Sequence, residues 1–396
     1  MRLAWTIGFV HRVAVAAGFA SALLLGCHGD ASSSGSSSSS TSSSTGTGGG
    51  RVTSGTTGGS MAGGAGGSAI DGGLDSGSSG GGAPACVTTV STQHLSIPAH
   101  DPSLFHAPGG AWYLFATGGS LGVRRSTNLS SWSSVGNVFP STPAWISAKL
   151  GQSITSLWAP DISYFEGRYH LYYAGSTFGS NHSVIGLATN TTLDPSAPTY
   201  AWVDEGLVLE SNAPGQSDDW NAIDPNLAFD AAGNPWLVFG SFWSGIKLRR
   251  IDPLTGKLSA ADPTLYALAE RDGSTAIEAP SIVLHNGYYY LFVSFDSCCQ
   301  GTNSTYRTMV GRATAITGPY VDRLGSDMLA GGAEGLLSSS GRYIGPGGGT
   351  AFIDGDCAYY VHHYYDGDQS GAPRLAMRPI YWTSDDWPVL GEALWQ

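Results

Sequence analysis

Charged residues are scarce in this sequence. Only 12% of its 396 residues are Asp, Glu, Lys or Arg, about half the usual share of a soluble chain. Basic residues are scarcer still, 18 against 30 acidic, for a net charge of −12. That balance excludes nucleic acid as a partner, because phosphates require a basic footprint. Long apolar runs are missing too. Beyond the first 30 residues nothing approaches the roughly 18 apolar residues of a membrane-spanning helix. A multi-pass membrane protein and a coiled coil are therefore excluded. What abounds is glycine, 57 residues, with aromatics at 11%. The length allows two or three domains, or one large all-β domain with additions.

The N-terminus is cationic and then apolar, from Arg2 and Arg12 to Leu25. This predicts a secretory signal peptide over residues 1–26. Leu24-Leu25-Gly26-Cys27 is similar to a bacterial lipobox, in which the cysteine is lipidated and becomes the first mature residue. An exported protein, held at the cell surface or in the periplasm by a lipid on Cys27, is the expectation. An ordinary signal peptide with a chance cysteine is the plainer alternative. Residues 27–85 read as a disordered linker. In 31–85, 41 of 55 residues are Ser, Gly or Thr, too little apolar surface to offset the entropy of ordering. Residues 86–396 then form the folded domain. Its cysteines are Cys86, Cys298, Cys299 and Cys357. Export permits disulfides, and four cysteines allow three pairings. One of these joins Cys86 to Cys357 and leaves Cys298 and Cys299 as a vicinal pair or as two thiols.

Five segments of the folded part share one pattern. Each opens with an acidic or Pro-containing turn, continues with an aromatic strand and adds a Gly-led strand. The openings are His100-Asp101-Pro102, Trp158-Ala159-Pro160-Asp161, Ile223-Asp224-Pro225, Glu278-Ala279-Pro280 and a fifth near Gly345-Pro346-Gly347. Asp101, Asp161, Asp224 and Glu278 follow one another at 60, 63 and 54 residues and read as nearly equivalent positions. Strand-rich units of this size predict an all-β, five-bladed β-propeller, with a β-sandwich as the alternative. In a propeller, equivalent residues converge on the axis. Acids remote in sequence then share one site. Singly, an Asp-Pro is a turn former. Together, beside Trp158 and Trp220, these acids suit a sugar site: carboxyl groups move protons and aromatic faces stack on sugar rings.

These motifs resemble the family 43 glycoside hydrolases, in particular the arabinanases that cut α-1,5-linked L-arabinan. The resemblance spans about residues 95–385. It is carried by His100-Asp101-Pro102-Ser103, Trp158-Ala159-Pro160-Asp161-Ile162, Asn221-Ala222-Ile223-Asp224-Pro225-Asn226, Glu278-Ala279-Pro280-Ser281, the stretch from Ser294 through Cys298-Cys299 to Gly311-Arg312, and His363-Tyr364-Tyr365-Asp366. It implies an inverting hydrolase on a five-bladed propeller. Asp101 matches the general base, Glu278 the general acid, and Asp224 the carboxylate that orients the acid and raises its pKa. Asp161 falls in a motif without being one of these three and reads as structural. His363 matches an axial histidine beside a hydrated metal ion, usually calcium. Trp158 and Phe178 match positions that pack against arabinose units. Arabinan or an arabino-oligosaccharide is the implied partner, and a monomer is expected. The alternatives are an exo-acting α-L-arabinofuranosidase or β-xylosidase of the same family, and a lectin-like propeller that binds polysaccharide without cutting it. The acid–base trio argues against the last.

Overall fold

The computed structural model describes residues 86–90, 95–271 and 273–395. The expected signal peptide, Cys27 and the Ser/Gly linker lie outside the described residues. Twenty strands form five antiparallel four-stranded sheets, each built in chain order. These are blades I (103–137), II (158–211), III (226–269), IV (277–337) and V (343–390). The first strands are Ser103–Ala107, Trp158–Phe165, Asn226–Phe229, Ile277–His285 and Tyr343–Asp354. Each touches its neighbours, and the fifth returns to the first, so the ring closes. The all-β, five-bladed propeller expected from the repeat is the observed fold.

The aromatic second strands explain why the blades stack. Ala111–Phe115, Pro235–Phe239 and Cys357–Asp366 are buried along their whole length. A strand sends successive side chains to opposite faces, and here both faces meet another blade. Tyr173 faces blade I and Tyr172 faces blade III. Phe292 packs toward blade V, while Leu291 and Val293 pack toward blade III. A continuous apolar run, rather than an alternating one, is the signature of such a doubly covered strand.

Closure between blades V and I is reinforced by the domain entrance. Cys86 is disulfide-bonded to Cys357 at the start of the second strand of blade V. Val87 N–H donates to Tyr359 Oη at 2.7 Å, and Leu375 N–H donates to Ile97 O at 2.8 Å. The pairing left open by the sequence is thereby decided, since Cys298 and Cys299 are bonded to each other.

The backbone also corrects the register of the repeat. Asp101, Ala159, Asp224, Ala279 and Gly348 all have positive φ, between 41° and 56°. Four of these are not glycine, and a left-handed conformation costs such a residue about 1–2 kcal/mol. A proline follows in four blades and Gly349 in the fifth. Bulges fall here, between Trp158 and Asp161, Glu278 and Ser281, and Gly347 and Thr350. The four acids are therefore not equivalent. Asp101 and Asp224 share a position, Glu278 sits one residue earlier, and Asp161 two residues later. The fifth unit is centred on Gly348, not on Gly345-Pro346-Gly347.

Two residues after each left-handed position stand Ser103, Asp161, Asn226, Ser281 and Thr350. They join the blades in a ring. Ser103 Oγ accepts from Ile162 N–H at 3.2 Å, Asp161 Oδ2 from Leu227 N–H at 2.8 Å, Asn226 Oδ1 from Ile282 N–H at 3.0 Å, and Ser281 Oγ from Ala351 N–H at 3.0 Å. Thr350 Oγ1 completes the circle by donating to Pro102 O at 3.4 Å. Asp161 also accepts from Asn226 Nδ2 and Ser103 Oγ. Burial outweighs these donors and lifts its pKa to about 7.

Asp161→Ala leaves three buried donors unpaired, at about 1–3 kcal/mol each. We expect a loss of at least about 3 kcal/mol in urea unfolding, with kcat per folded molecule retained. A stable but inactive variant would contradict a purely structural role.

Candidate active site

The bulged turns deliver residues from every blade to the channel mouth. Asp101, Asp224, Ala159, Ala279 and Gly348, with the adjoining prolines, line a cavity of about 20 Å³. That is space for about one water molecule. Gly348 is required there, because a Cβ would lie 2.5 Å from Asp101 Oδ1 and 2.5 Å from His363 Cε1.

Asp101 is gripped on Oδ2. Oδ2 lies 2.8 Å from His100 Nδ1 and accepts from Thr117 Oγ1 at 2.7 Å. Oδ1 lies 3.5 Å from His363 Nδ1. Burial alone would raise its pKa. The His100 charge and hydrogen bond, with the Thr117 hydrogen bond, outweigh it and hold the carboxyl at about 2. Burial would depress His100 in turn, but Asp101 and then Glu278 raise it.

Glu278 and Asp224 behave in the opposite sense. Glu278 Oε2 accepts from Ser241 Oγ at 2.6 Å and Oε1 from Tyr306 Oη at 2.7 Å. Asp224 Oδ2 accepts from Ala279 N–H at 3.0 Å. Burial raises Glu278, assisted by the Asp101 charge, against those two hydrogen bonds. Burial, then Glu278 and Asp101, push Asp224 well above the usual range. Two buried carboxyls next to a fixed anion cannot both ionise, so the pair retains a proton. Tyr306 is pushed well above its ordinary value by burial and then by the surrounding acids, so it remains a phenol donor.

His363 is fully buried. Burial and then His100 drive its pKa well down, so the ring is neutral. Its Nδ1 accepts from Asp101 N–H at 3.1 Å, and the proton therefore resides on Nε2. Nε2 has no partner. Calcium prefers oxygen ligands, and waters held by such an ion turn their hydrogens outward, so a hydrated ion would call for the other tautomer, with Nε2 accepting from a water and the Nδ1 proton turned to Asp101 Oδ1, 3.5 Å away. The residues fit an ion in that state, with Asp101 supplying negative charge. His362, the next residue on the strand, bonds its own neighbour's carbonyl through Nδ1.

Trp158 and Phe178 meet at 5.1 Å between ring centroids. Phe178 is 81% exposed, which separates it from the core aromatics. The sequence reading assigned no role to His100, Thr117, Ser241, Tyr306 or Tyr365. A signal for two of them existed. Thr117 and Ser241 each stand two residues past the second strand of their blade, where a polar side chain follows an apolar run. Ala159 N–H donates to Thr117 Oγ1 and Gly348 N–H to Ser294 Oγ, as Asp101 N–H does to His363.

Residues 95–388 match the family model described as Glycosyl hydrolases family 43. An extracellular endo-α-(1→5)-L-arabinanase of Bacillus subtilis is 43% identical over 294 residues, 73% of this chain and 86% of that protein. An extracellular exo-α-(1→5)-L-arabinofuranosidase of Cellvibrio japonicus is 38% identical over 305 residues, 75% of this chain and 87% of that protein. The solved structure of a Cellvibrio cellulosa α-L-arabinanase complexed with arabinohexaose superposes with a TM-score of 0.71 at 36% identity. It covers 75% of this chain and 96% of that one.

Tyr306→Phe removes a donor that lowers the Glu278 pKa. The Asp224–Glu278 pair should then hold its proton to higher pH. Carboxyl ¹³C shifts followed through a pH titration would register an upward midpoint, and a fall would contradict the assigned sign.

Proposed function

The chain belongs to glycosyl hydrolases family 43, and from that premise we propose that it hydrolyses α-1,5-L-arabinofuranosidic linkages in arabinan with inversion. The observation that carries the reading is the division of the carboxyl groups into two protonation states around one cavity. Asp101, an ionised and hydrogen-bonded anion, takes a proton from water as general base. Glu278, in the protonated pair, gives its proton to the leaving oxygen as general acid. Asp224 keeps the acid charged with that proton through its own negative field, and its N–H acceptor bond ties it to Ala279 beside the acid. An inverting reaction needs this combination: an anion on one face of the sugar, an acid on the other, and a water at the anion. Tyr306 and Ser241 hold the acid in place. A hydrated calcium ion, held through its waters at His363, would supply positive charge near the axis when bound.

Trp158 and Phe178 offer an exposed aromatic face to a furanose ring. A cavity of about 530 Å³ opens beside His100 and Thr117, over blade I, and is lined by Gly118, Gly119, Ser120 and Asn137 among others. It gives room for sugar units beyond the reacting one, which favours endo action. An exo mode is the second reading, supported by the Cellvibrio japonicus relative. The two named relatives are extracellular, which supports export; a monomeric propeller domain, residues 86–396, on a linker anchored at Cys27 is part of the same proposal.

Linear α-1,5-arabinan, followed by product length over time, tests the activity. Medium oligomers at early times are expected. Arabinose or one short oligomer from the start would establish the exo reading, and binding without cleavage would leave a polysaccharide-binding propeller. Asp101→Asn and Glu278→Gln should each lower kcat by roughly 10²–10⁴-fold, the usual worth of a general base or acid. Asp224→Asn removes the charge that helps retain the acid's proton. The alkaline limb of the pH–rate profile should move to lower pH, and an unmoved limb would remove Asp224 from that role.

A further inference from the structure

We infer that the Cys298–Cys299 disulfide is a positioning element for Asp101, acting through Tyr365 and His100. This deepens the proposed function and rests on its assignment of Asp101 as the base. A disulfide between adjacent residues closes a small ring around their peptide bond and leaves the turn few conformations. Cys299 lies at φ 66°, a left-handed state that residues other than glycine seldom hold unaided. In that state its N–H donates to Tyr365 Oη at 2.7 Å. Tyr365 Oη stands 2.9 Å from His100 Nε2, and His100 Nδ1 stands 2.8 Å from Asp101 Oδ2.

The polarity of this chain is fixed at both ends. An ionised carboxylate only accepts, so His100 Nδ1–H donates to Asp101. A backbone N–H only donates, so the Tyr365 oxygen accepts from Cys299. His100 Nε2 and the Tyr365 hydroxyl share one hydrogen bond between these ends, so the four groups form one connected sequence. Side-on restraints complete it. The His100 ring stacks on His363 at 3.9 Å between centroids. Cys299 Sγ lies 3.7 Å from His100 Nε2 and 3.8 Å from Tyr365 Oη. Ser304 also reaches the Tyr365 hydroxyl. The disulfide is open to reagents, because Cys299 is exposed. On reduction by a dithiol the Cys298–Cys299 S–S bond breaks, two thiols form, and the added dithiol is oxidised to its own disulfide. Cys299 is then free to leave the left-handed state and take its N–H away from Tyr365.

The test uses the whole protein and four variants: Cys298→Ala/Cys299→Ala, Tyr365→Phe, the combination of these, and Cys86→Ala/Cys357→Ala as a control for the other disulfide. Misplacing a reacting group by a fraction of an ångström to 1 Å costs up to about 10²-fold. We expect kcat on arabinan to fall roughly 10–100-fold in the first two variants, with KM changed less than about twofold and no further fall in the combination. In the control, kcat at 25 °C is retained even where Tm falls. Dithiothreitol should lower kcat in the wild type and the control, and not in the Cys298→Ala/Cys299→Ala variant. The ¹⁵N shift of His100 Nε2, which reports its bond to Tyr365, should change together with kcat. Unchanged kcat on Tyr365→Phe, multiplied losses in the combination, or losses that track Tm alone would overturn the inference. If the double cysteine variant does not fold, Tyr365→Phe and reduction of the folded wild type decide it. Retained activity in Asp101→Asn would instead refute the base assignment, and the His100 Nε2 shift would still report whether the disulfide holds Tyr365 against His100.

Discussion

Everything at the channel mouth depends on one repeated hydrogen bond. In four of the five blades the side chain two residues after the left-handed turn accepts the backbone N–H of the next blade, from Ser103 to Ile162, Asp161 to Leu227, Asn226 to Ile282 and Ser281 to Ala351, and in the fifth Thr350 donates to Pro102 O. These groups are buried, so the bonds lie in a low dielectric where an unpaired partner is costly. The ring fixes the angular spacing of the blades one layer below the acids. Asp101, Asp224 and Glu278 therefore converge without depending on flexible loops.

A symmetric frame then carries an asymmetric charge arrangement. At the left-handed position the blades present Asp, Ala, Asp, Ala and Gly, and one residue earlier His, Trp, Ile, Glu and Gly. Small residues at three of five places leave room at the axis. His100 and Thr117 gather at blade I and keep Asp101 ionised. Burial and mutual repulsion between blades III and IV keep a proton on Asp224 and Glu278. In a chain so poor in charge, there is little else nearby to compensate these groups. Their opposed pKa shifts arise from local contacts, not from an overall field.

The strained backbone belongs to the same economy of space. Four left-handed residues that are not glycine are held at the channel, followed by prolines that restrict the chain further. Bulges at such turns aim side chains inward, and the sheets behind them absorb the cost through doubly covered aromatic strands. Cys299 is a fifth left-handed residue near the site, held by a covalent ring instead of a neighbouring blade.

The sequence by itself determined the blade count and the aromatic strands, and it placed Asp101, Asp224 and Glu278 at blade openings, because turn chemistry and strand burial are local and recur at a readable period. The roles expected of those acids, and of His363, Trp158 and Phe178, came from the family resemblance alone. The register escaped the sequence. Asp161 looks like its fellow acids in a string of letters, yet it stands two residues past the left-handed Ala159, in the inter-blade ring and not at the channel surface. The cysteine pairing, the grip of Ser241 and Tyr306 on Glu278, and the path from Cys299 through Tyr365 and His100 to Asp101 join residues 28 to 271 positions apart. Local preference has no bearing on such contacts. Only the closing of the ring brings those groups within bonding distance, and only that proximity sets which carboxyl loses its proton and which keeps it.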